Sequence, residues 1–235
     1  MILMVAQNKG GVGKTTIAVH TAVYLHDRGF KVALVDCDRS ASSASWVSKV
    51  EPEIRVVHAV APDKTRSDLV KFKKTCDYVI CDSPGEDNKI IRTLMMFADK
   101  IVFPVGPSIL ELRALVPTIS VYNQAKEHRG GKFDATIVCN MIRKNGKTSK
   151  SLSKTVAKQF GINVAKAQLR LLEAFKEAPK QATVVTRMGL SIAMVDVEDL
   201  LEELTGVPPT CYAEKDPRKR INKQEVTNGE RISVT

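Results

Sequence analysis

A glycine-rich segment near the amino terminus most restricts what this chain can fold into. Residues 8–16 read NKGGVGKTT, with an apolar run before them at 2–6 and a helical pattern after them at 15–28. Glycines let successive backbone N–H groups turn inward, and the following helix points the positive end of its dipole at the same place. The segment therefore predicts a strand, an anion-binding loop and a helix, in that order.

Short apolar runs alternate with helical patterns along the rest of the chain. Strands are predicted at residues 2–6, 31–36, 54–57, 78–82, 101–105 and 135–140, and helices at 15–28, 42–50, 67–75, 88–97 and 109–128. After residue 140 the pattern is mostly helical. Strands this apolar must be covered on both faces. The expected fold class is therefore α/β, a three-layer, doubly wound parallel sheet flanked by helices.

The length and composition suit one domain with a sizeable core, for which 235 residues suffice. We assign residues 1–206 to it and expect residues 207–235, which are polar and contain two adjacent prolines, to form a flexible tail. No apolar run approaches the roughly 18 residues of a membrane helix, and the five cysteines show no metal or redox spacing. We expect reduced thiols in a cytoplasmic protein without membrane association.

Each position of the glycine-rich loop suits a triphosphate bound together with magnesium. Lys14 would place its charge between the β- and γ-phosphates, the Thr15 hydroxyl would ligate Mg²⁺, and Thr16 would reach the α-phosphate. A chance glycine-rich turn before a helix is the alternative, which the spacing and the strand-loop-helix context disfavour. The backbone positions expected to surround the phosphates are Gly10, Gly11, Val12 and Gly13.

The string KGGVGKTT, with its additional lysine at position 9, resembles the deviant Walker family of ParA and MinD ATPases. The resemblance continues in VDCD at 35–38, VICDSPG at 79–85 and ADK at 98–100, and it covers roughly residues 1–206. It implies a homodimer that encloses two ATP molecules face to face. Lys9 would then reach the partner's nucleotide and meet the negative charge of the transition state, as an arginine finger does. The alternative for Lys9 is an exposed loop lysine.

Three aspartates follow predicted strands, at the sheet edge where ligands of parallel α/β folds bind. By resemblance, Asp82 is the Walker B acid that holds Mg²⁺ through water, and Asp38 positions the attacking water. Asp36 is expected to assist on the metal side, although it could instead cap the next helix. This chain has Asp38-Arg39-Ser40 where the family often has Asp-Pro-Gln, and Gly85 after the third aspartate is expected to sense the γ-phosphate.

Asn140, which follows the apolar run at 135–139, corresponds in position to an asparagine that reads the adenine edge in related ATPases. An amide both donates and accepts, which suits adenine N6 and N7. A helix or turn cap is the alternative for this residue.

The net charge of +10 is concentrated in the C-terminal half, because residues 126–187 contain 14 Lys and Arg against 4 Asp and Glu. A surplus of this size favours a polyanionic partner, and the resemblance to ParA implies nonspecific DNA, bound through phosphates without base readout. A solvated basic surface is the alternative. The candidate DNA-binding residues are Lys144, Lys147, Lys150, Arg170, Lys176, Lys180 and Arg187.

The function that these features favour is that of a ParA-type ATPase. Its ATP-bound dimer would bind nucleoid DNA, and an adaptor on a cargo would stimulate hydrolysis and release. The cargo could be a plasmid or chromosome partition complex, or a protein organelle such as the carboxysome. The alternatives are a MinD-like membrane-cycling ATPase, which needs an amphipathic C-terminal helix, and a metabolic relative such as dethiobiotin synthetase or an iron–sulfur-linked ATPase.

Overall fold

The computed structural model describes residues 1–131, 134–143, 157 and 159–209. The strands are β1 (Ile2–Val5), β2 (Val32–Asp36), β3 (Arg55–His58), β4 (Tyr78–Asp82), β5 (Lys100–Val105), β6 (Asp134–Cys139) and β7 (Asn163–Val164). The helices are α1 (Lys14–His26), α2 (Ser42–Val50), α3 (Pro62–Thr75), α4 (Asn88–Phe97), α5 (Ile109–His128), α6 (Ala174–Lys180) and α7 (Ile192–Thr205), with a 3₁₀ turn at Val185–Arg187.

The seven strands form one sheet in the order β3-β2-β4-β1-β5-β6-β7, and every pair is parallel. From β1 the chain passes to β2 and β3 at one edge, returns to β4 beside β1, and then continues through β5, β6 and β7 to the other edge, with helices on both faces. The predicted doubly wound α/β fold is confirmed.

The apolar core has two layers, one on each face of the sheet. Leu3 and Val5 of β1 pack towards α1 and α7, whereas Ile2 and Met4 pack towards the layer of α4 and α5. This alternation follows from the two-residue period of a strand. Both faces of β1 are buried, which is why its sequence is a continuous apolar run.

The prediction of secondary structure from the sequence was least accurate after β6. A largely helical remainder was predicted, but β7 pairs with β6 through Asn163 and Val164. Two residues are too few for an alternating pattern to indicate a strand. Helix α3 also begins earlier than predicted, at Pro62, a residue that suits the first helical turn because it needs no N–H partner there.

Of the four cysteines in the described part of the chain, Cys37, Cys81 and Cys139 are buried. Among the described residues no helix has both the length and the hydropathy to cross a bilayer. The first residues of the predicted tail are held on α1: the Tyr24 hydroxyl donates to the Val207 carbonyl at 2.7 Å. Residues 210–235 lie outside the described residues.

Candidate functional site

The glycine-rich loop joins β1 to α1 and turns at two glycines with positive φ. Gly11 has a φ of 74° and Gly13 a φ of 95°, values that side chains rarely allow. A Cβ on Gly13 would also lie 2.2 Å from Asn140 Nδ2. Position 13 therefore requires glycine for two independent reasons, its backbone conformation and the approach of a neighbouring side chain.

Asn140 supports this loop from the carboxyl end of β6. Its Nδ2 donates to the Val12 carbonyl at 2.7 Å, its Oδ1 accepts from the Met141 N–H at 2.8 Å, and the residue is 6% exposed. These bonds use one of the two N–H groups and one of the two lone pairs of the amide. They make Asn140 a support of the loop, and its contact with adenine stays a prediction.

Lys14 begins α1 and turns its ammonium group back under the loop, where Nζ donates to the Lys9 carbonyl at 3.1 Å. Burial lowers the pKa of Lys14 below its ordinary value, while the carboxylates of Asp82 and Asp38 act in the opposite direction. A Cβ on Gly85 would lie 3.9 Å from Nζ. The predicted phosphate lysine, the two predicted acids and Gly85 therefore meet at one point.

Thr15 and Asp82 form the contact expected of a magnesium site. The Thr15 hydroxyl donates to Asp82 Oδ2 at 2.7 Å, and Asp82 Oδ1 is buried without a partner in the described residues. Burial, assisted by the charge of neighbouring Asp36, raises the pKa of Asp82 to about 7 against the opposing effect of the Thr15 bond. A hydroxyl beside a carboxylate with an unpartnered oxygen fits a magnesium ion and its water ligands.

Asp36 has a different environment from Asp82. Its carboxylate is fully buried and accepts from the Asp38 N–H and the Ala44 N–H, both at 2.9 Å. Because both oxygens are bound to backbone donors, the side chain holds the loop between β2 and α2. The bond to the Ala44 N–H, in the first turn of α2, agrees with the alternative that Asp36 caps this helix, and its assisting role on the metal side stays a prediction.

Asp38 lies near the start of that loop and lines the cleft. Its Oδ1 accepts from the N–H and the hydroxyl of Ser40, at 2.9 and 2.8 Å. Burial acts to raise the pKa of Asp38, but these bonds and the charge of Lys14 outweigh it, so the pKa lies below its ordinary value. A cleft of about 750 Å³ opens here, lined by Asp38, Gly85 and Gly10 among others.

Lys9 lies at the outer edge of the loop and is paired within its own chain. Its Nζ forms an ion pair with Glu111 Oε1 on α5, and the Lys9 side chain is 42% exposed. Sequence analysis did not single out Glu111, because the contact joins residues 102 positions apart. The reach of Lys9 towards a second chain remains a prediction.

The predicted DNA-binding residues have unequal surroundings. Arg170 is bound to the nearly buried Asp196 through Nη2 at 2.5 Å and Nε at 2.9 Å, and Arg187 is bound to Asp27 and Glu51. These two arginines link structural elements, and their contact with DNA stays a prediction. The two lysines of α6 form exposed ion pairs, Lys176 with Glu173 and Lys180 with Glu177. Lys144, Lys147 and Lys150 lie outside the described residues.

Sequence analysis missed a second group of cations, on α3 and α4. Arg66 and Lys74 share one face of α3, and Lys89 and Arg92 lie on the outer surface of α4, next to it in space. All four are exposed and form no ion pair in the described parts of the chain. The spacing of these basic residues along the two helices is the signal that could have identified them. The larger surplus of basic residues at 126–187 was instead taken as the candidate DNA-binding region.

A parallel sheet with a glycine loop at the end of β1, a lysine and a threonine opening α1, and an aspartate ending β4 defines a P-loop nucleotide-binding protein. The family model "CobQ/CobB/MinD/ParA nucleotide binding domain" matches residues 3–199. The chain belongs to this family.

Individual relatives agree with this assignment. The chain is 29% identical to "Maintenance of carboxysome distribution protein A" of Halothiobacillus neapolitanus over 80% of this chain and 87% of that protein. It is 27% identical to "Protein ParA" of Rhizobium radiobacter over 60% of this chain and 64% of that protein. Among solved structures, an McdA variant from Cyanothece in complex with ATP superposes with a TM-score of 0.68 at 17% identity, covering 88% of this chain and 96% of that one.

Proposed function

We propose that this protein is a ParA-like ATPase that positions or segregates a cargo. ATP would close a homodimer, the dimer would bind nonspecific DNA, and an adaptor on the cargo would stimulate hydrolysis and release. The observation that carries the proposal is the meeting of Lys14, Asp38 and Gly85 beside the Thr15–Asp82 contact. This arrangement supplies groups for the γ-phosphate, the metal and the attacking water at one point.

In this proposal magnesium would be held by Thr15 and, through water, by Asp82. The ion would neutralise charge on the β- and γ-phosphates and release Asp82 from the protonated form that burial favours. Asp82 Oδ1, which has no protein partner in the described residues, is the oxygen free for this task.

Asp38 would orient the attacking water, since its low pKa keeps it an anion that accepts a hydrogen bond. Lys14 would stabilise charge that develops on the transferred phosphoryl group. Lys9 would supply the corresponding charge to the partner's nucleotide. A site that needs a second chain hydrolyses ATP slowly until the assembly is complete, which leaves room for control by an adaptor.

The names of two relatives support both classes of cargo expected from the sequence. One is named for the distribution of carboxysomes and another is a ParA protein. We therefore propose a protein organelle or a plasmid or chromosome partition complex, carried by a cytoplasmic protein that associates with the nucleoid.

Nucleotide binding is tested by Lys14→Ala, with Lys71→Ala on exposed α3 as the matched control. Calorimetry should give no ATP binding for Lys14→Ala and unchanged affinity for Lys71→Ala, because only Lys14 reaches the phosphates. Retained ATP affinity in Lys14→Ala would contradict the assignment of the loop.

Hydrolysis is tested by Asp38→Ala, with Asp63→Ala on α3 as its control. Asp38→Ala should bind ATP, lose hydrolysis and accumulate as a dimer in sedimentation experiments, since a water-orienting carboxylate acts on the chemical step. If wild type dimerises with ATP and Asp38→Ala stays monomeric, that role is wrong. A pull-down with the trapped dimer would identify the adaptor.

DNA binding is tested by fluorescence anisotropy with random duplex at several salt concentrations. Affinity should require ATP and fall with salt by about one log-log slope unit for each neutralised phosphate. The double variants Arg66→Ala/Lys74→Ala and Lys176→Ala/Lys180→Ala compare the two exposed basic surfaces. ATP-dependent flotation with anionic vesicles, without DNA binding, would favour the MinD-like alternative instead.

A further inference from the structure

Helix α5 holds the front of the glycine-rich loop at two points. Glu111 pairs with Lys9, and the Thr118 hydroxyl accepts from the Asn8 N–H at 3.1 Å. The two residues are seven positions apart, so they lie on one face of the helix. The loop residue predicted to act on a second chain is therefore restrained by its own chain.

Glu111 occupies a position where it has a second hydrogen-bonding option. Ser108 is the N-cap of α5 and its hydroxyl accepts from the Glu111 N–H at 3.2 Å. In such a Ser-x-x-Glu capping box the glutamate side chain usually returns to the backbone N–H of the cap residue. Here the carboxylate is turned to Lys9, and its Oε2 is buried with no partner among the described residues.

The backbone makes room for this turned carboxylate. A Cβ on Gly106 would lie 3.0 Å from Glu111 Cγ and 3.3 Å from Cδ. The absence of a side chain at position 106 therefore lets Glu111 lie against the chain while it reaches Lys9.

We propose that Glu111 is a positioning residue that retains Lys9 in its own protomer. On closure of the ATP dimer Lys9 leaves for the partner's nucleotide, and Glu111 returns to the Ser108 N–H, which completes the capping box. The exchange sets a threshold for dimerisation, because each protomer must break one ion pair. This proposal rests on the proposed dimerisation of the chain around ATP.

The test uses Glu111→Gln, which keeps the length and hydrogen-bonding capacity of the side chain and removes its charge. Loss of a partly exposed ion pair such as Lys9–Glu111 changes an equilibrium constant by about threefold. Two pairs break in each dimer, so the Kd of the ATP-bound dimer should fall about tenfold. Sedimentation with a non-hydrolysable ATP analogue measures this Kd, and Arg113→Ala, exposed on the same helix, should leave it unchanged.

Two further measurements separate this role from a structural one. The tenfold effect should shrink at high salt, which screens the Lys9–Glu111 pair. In a Lys9→Ala background, adding Glu111→Gln should have no effect, because the pair is already absent. This comparison uses the dimer Kd, or the affinity for the ATP analogue if both variants stay monomeric. An unchanged or weaker dimer in Glu111→Gln, with wild-type thermal stability, overturns the proposal for Glu111 alone. A wild type that remains monomeric with the analogue overturns the proposed function and this inference with it.

Discussion

His20 is a histidine that the fold keeps neutral, and its protonation should destabilise the protein in acid. The residue is 1% exposed, with Nδ1 2.7 Å from the Thr16 carbonyl oxygen and Nε2 3.2 Å from the Val185 nitrogen. A carbonyl can only accept and an amide N–H can only donate, so Nδ1 carries the proton. The rings of Trp46 and Phe175 lie beside it, with centroids at 5.5 and 5.9 Å.

The size of the effect follows from the difference between folded and unfolded states. Burial lowers the pKa of His20 to about 4, from an ordinary value of 6.5. Since the folded pKa is the lower one, the unfolded chain takes up the proton first. The stabilisation from a neutral His20 is therefore complete well above pH 6.5 and is lost as the pH falls towards 4. At about 1.4 kcal/mol per pKa unit, the loss reaches about 2 kcal/mol at pH 5.

Urea unfolding at pH 7.5 and pH 5 measures this loss. The free energy of unfolding of the wild type should fall by about 2 kcal/mol more than that of His20→Gln, which cannot become charged. His128→Gln, at an exposed position ending α5, should retain the wild-type difference. Equal losses in wild type and His20→Gln would refute the assignment of a low pKa to His20.

Three other substitutions test contacts that the fold creates. Gly13→Ala should abolish ATP binding in calorimetry, because the new Cβ meets Asn140 Nδ2 and the backbone has a φ of 95°. Arg170→Ala should lower the free energy of unfolding by about 2 kcal/mol in urea, because it leaves the nearly buried Asp196 without its partner, and should not change DNA affinity. Trp46→Phe should cost about 1 kcal/mol in the same assay, because it removes the 2.9 Å bond from Nε1 to the Thr183 carbonyl.

A different result would contradict each of these three predictions. Wild-type ATP affinity in Gly13→Ala would mean that the loop tolerates a side chain there. Unchanged stability with reduced DNA affinity in Arg170→Ala would support the DNA-binding role predicted from the sequence. An unaltered unfolding midpoint in Trp46→Phe would mean that the indole N–H contributes nothing to the packing of α2.

The order of strands and helices could be predicted from the sequence up to β6, because buried parallel strands are continuous apolar runs of four or more residues. The glycine-rich loop could be identified as well, since its chemistry depends on neighbouring residues of one short segment. The two-residue strand β7 could not be predicted, since it exists only through its pairing with β6.

The roles of single charged and polar residues were determined by partners distant in sequence. Residue type and position made Asp36, Asn140 and Arg170 candidates, and the fold adds hydrogen bonds and an ion pair that the sequence does not show. The Lys9–Glu111 pair is another such case, since it joins a loop and a helix that are far apart along the chain. The local sequence thus determined the sheet, the phosphate loop and its lysines. The tertiary structure decided which charges remain available, because compensation depends on which side chains the fold brings within a few ångströms.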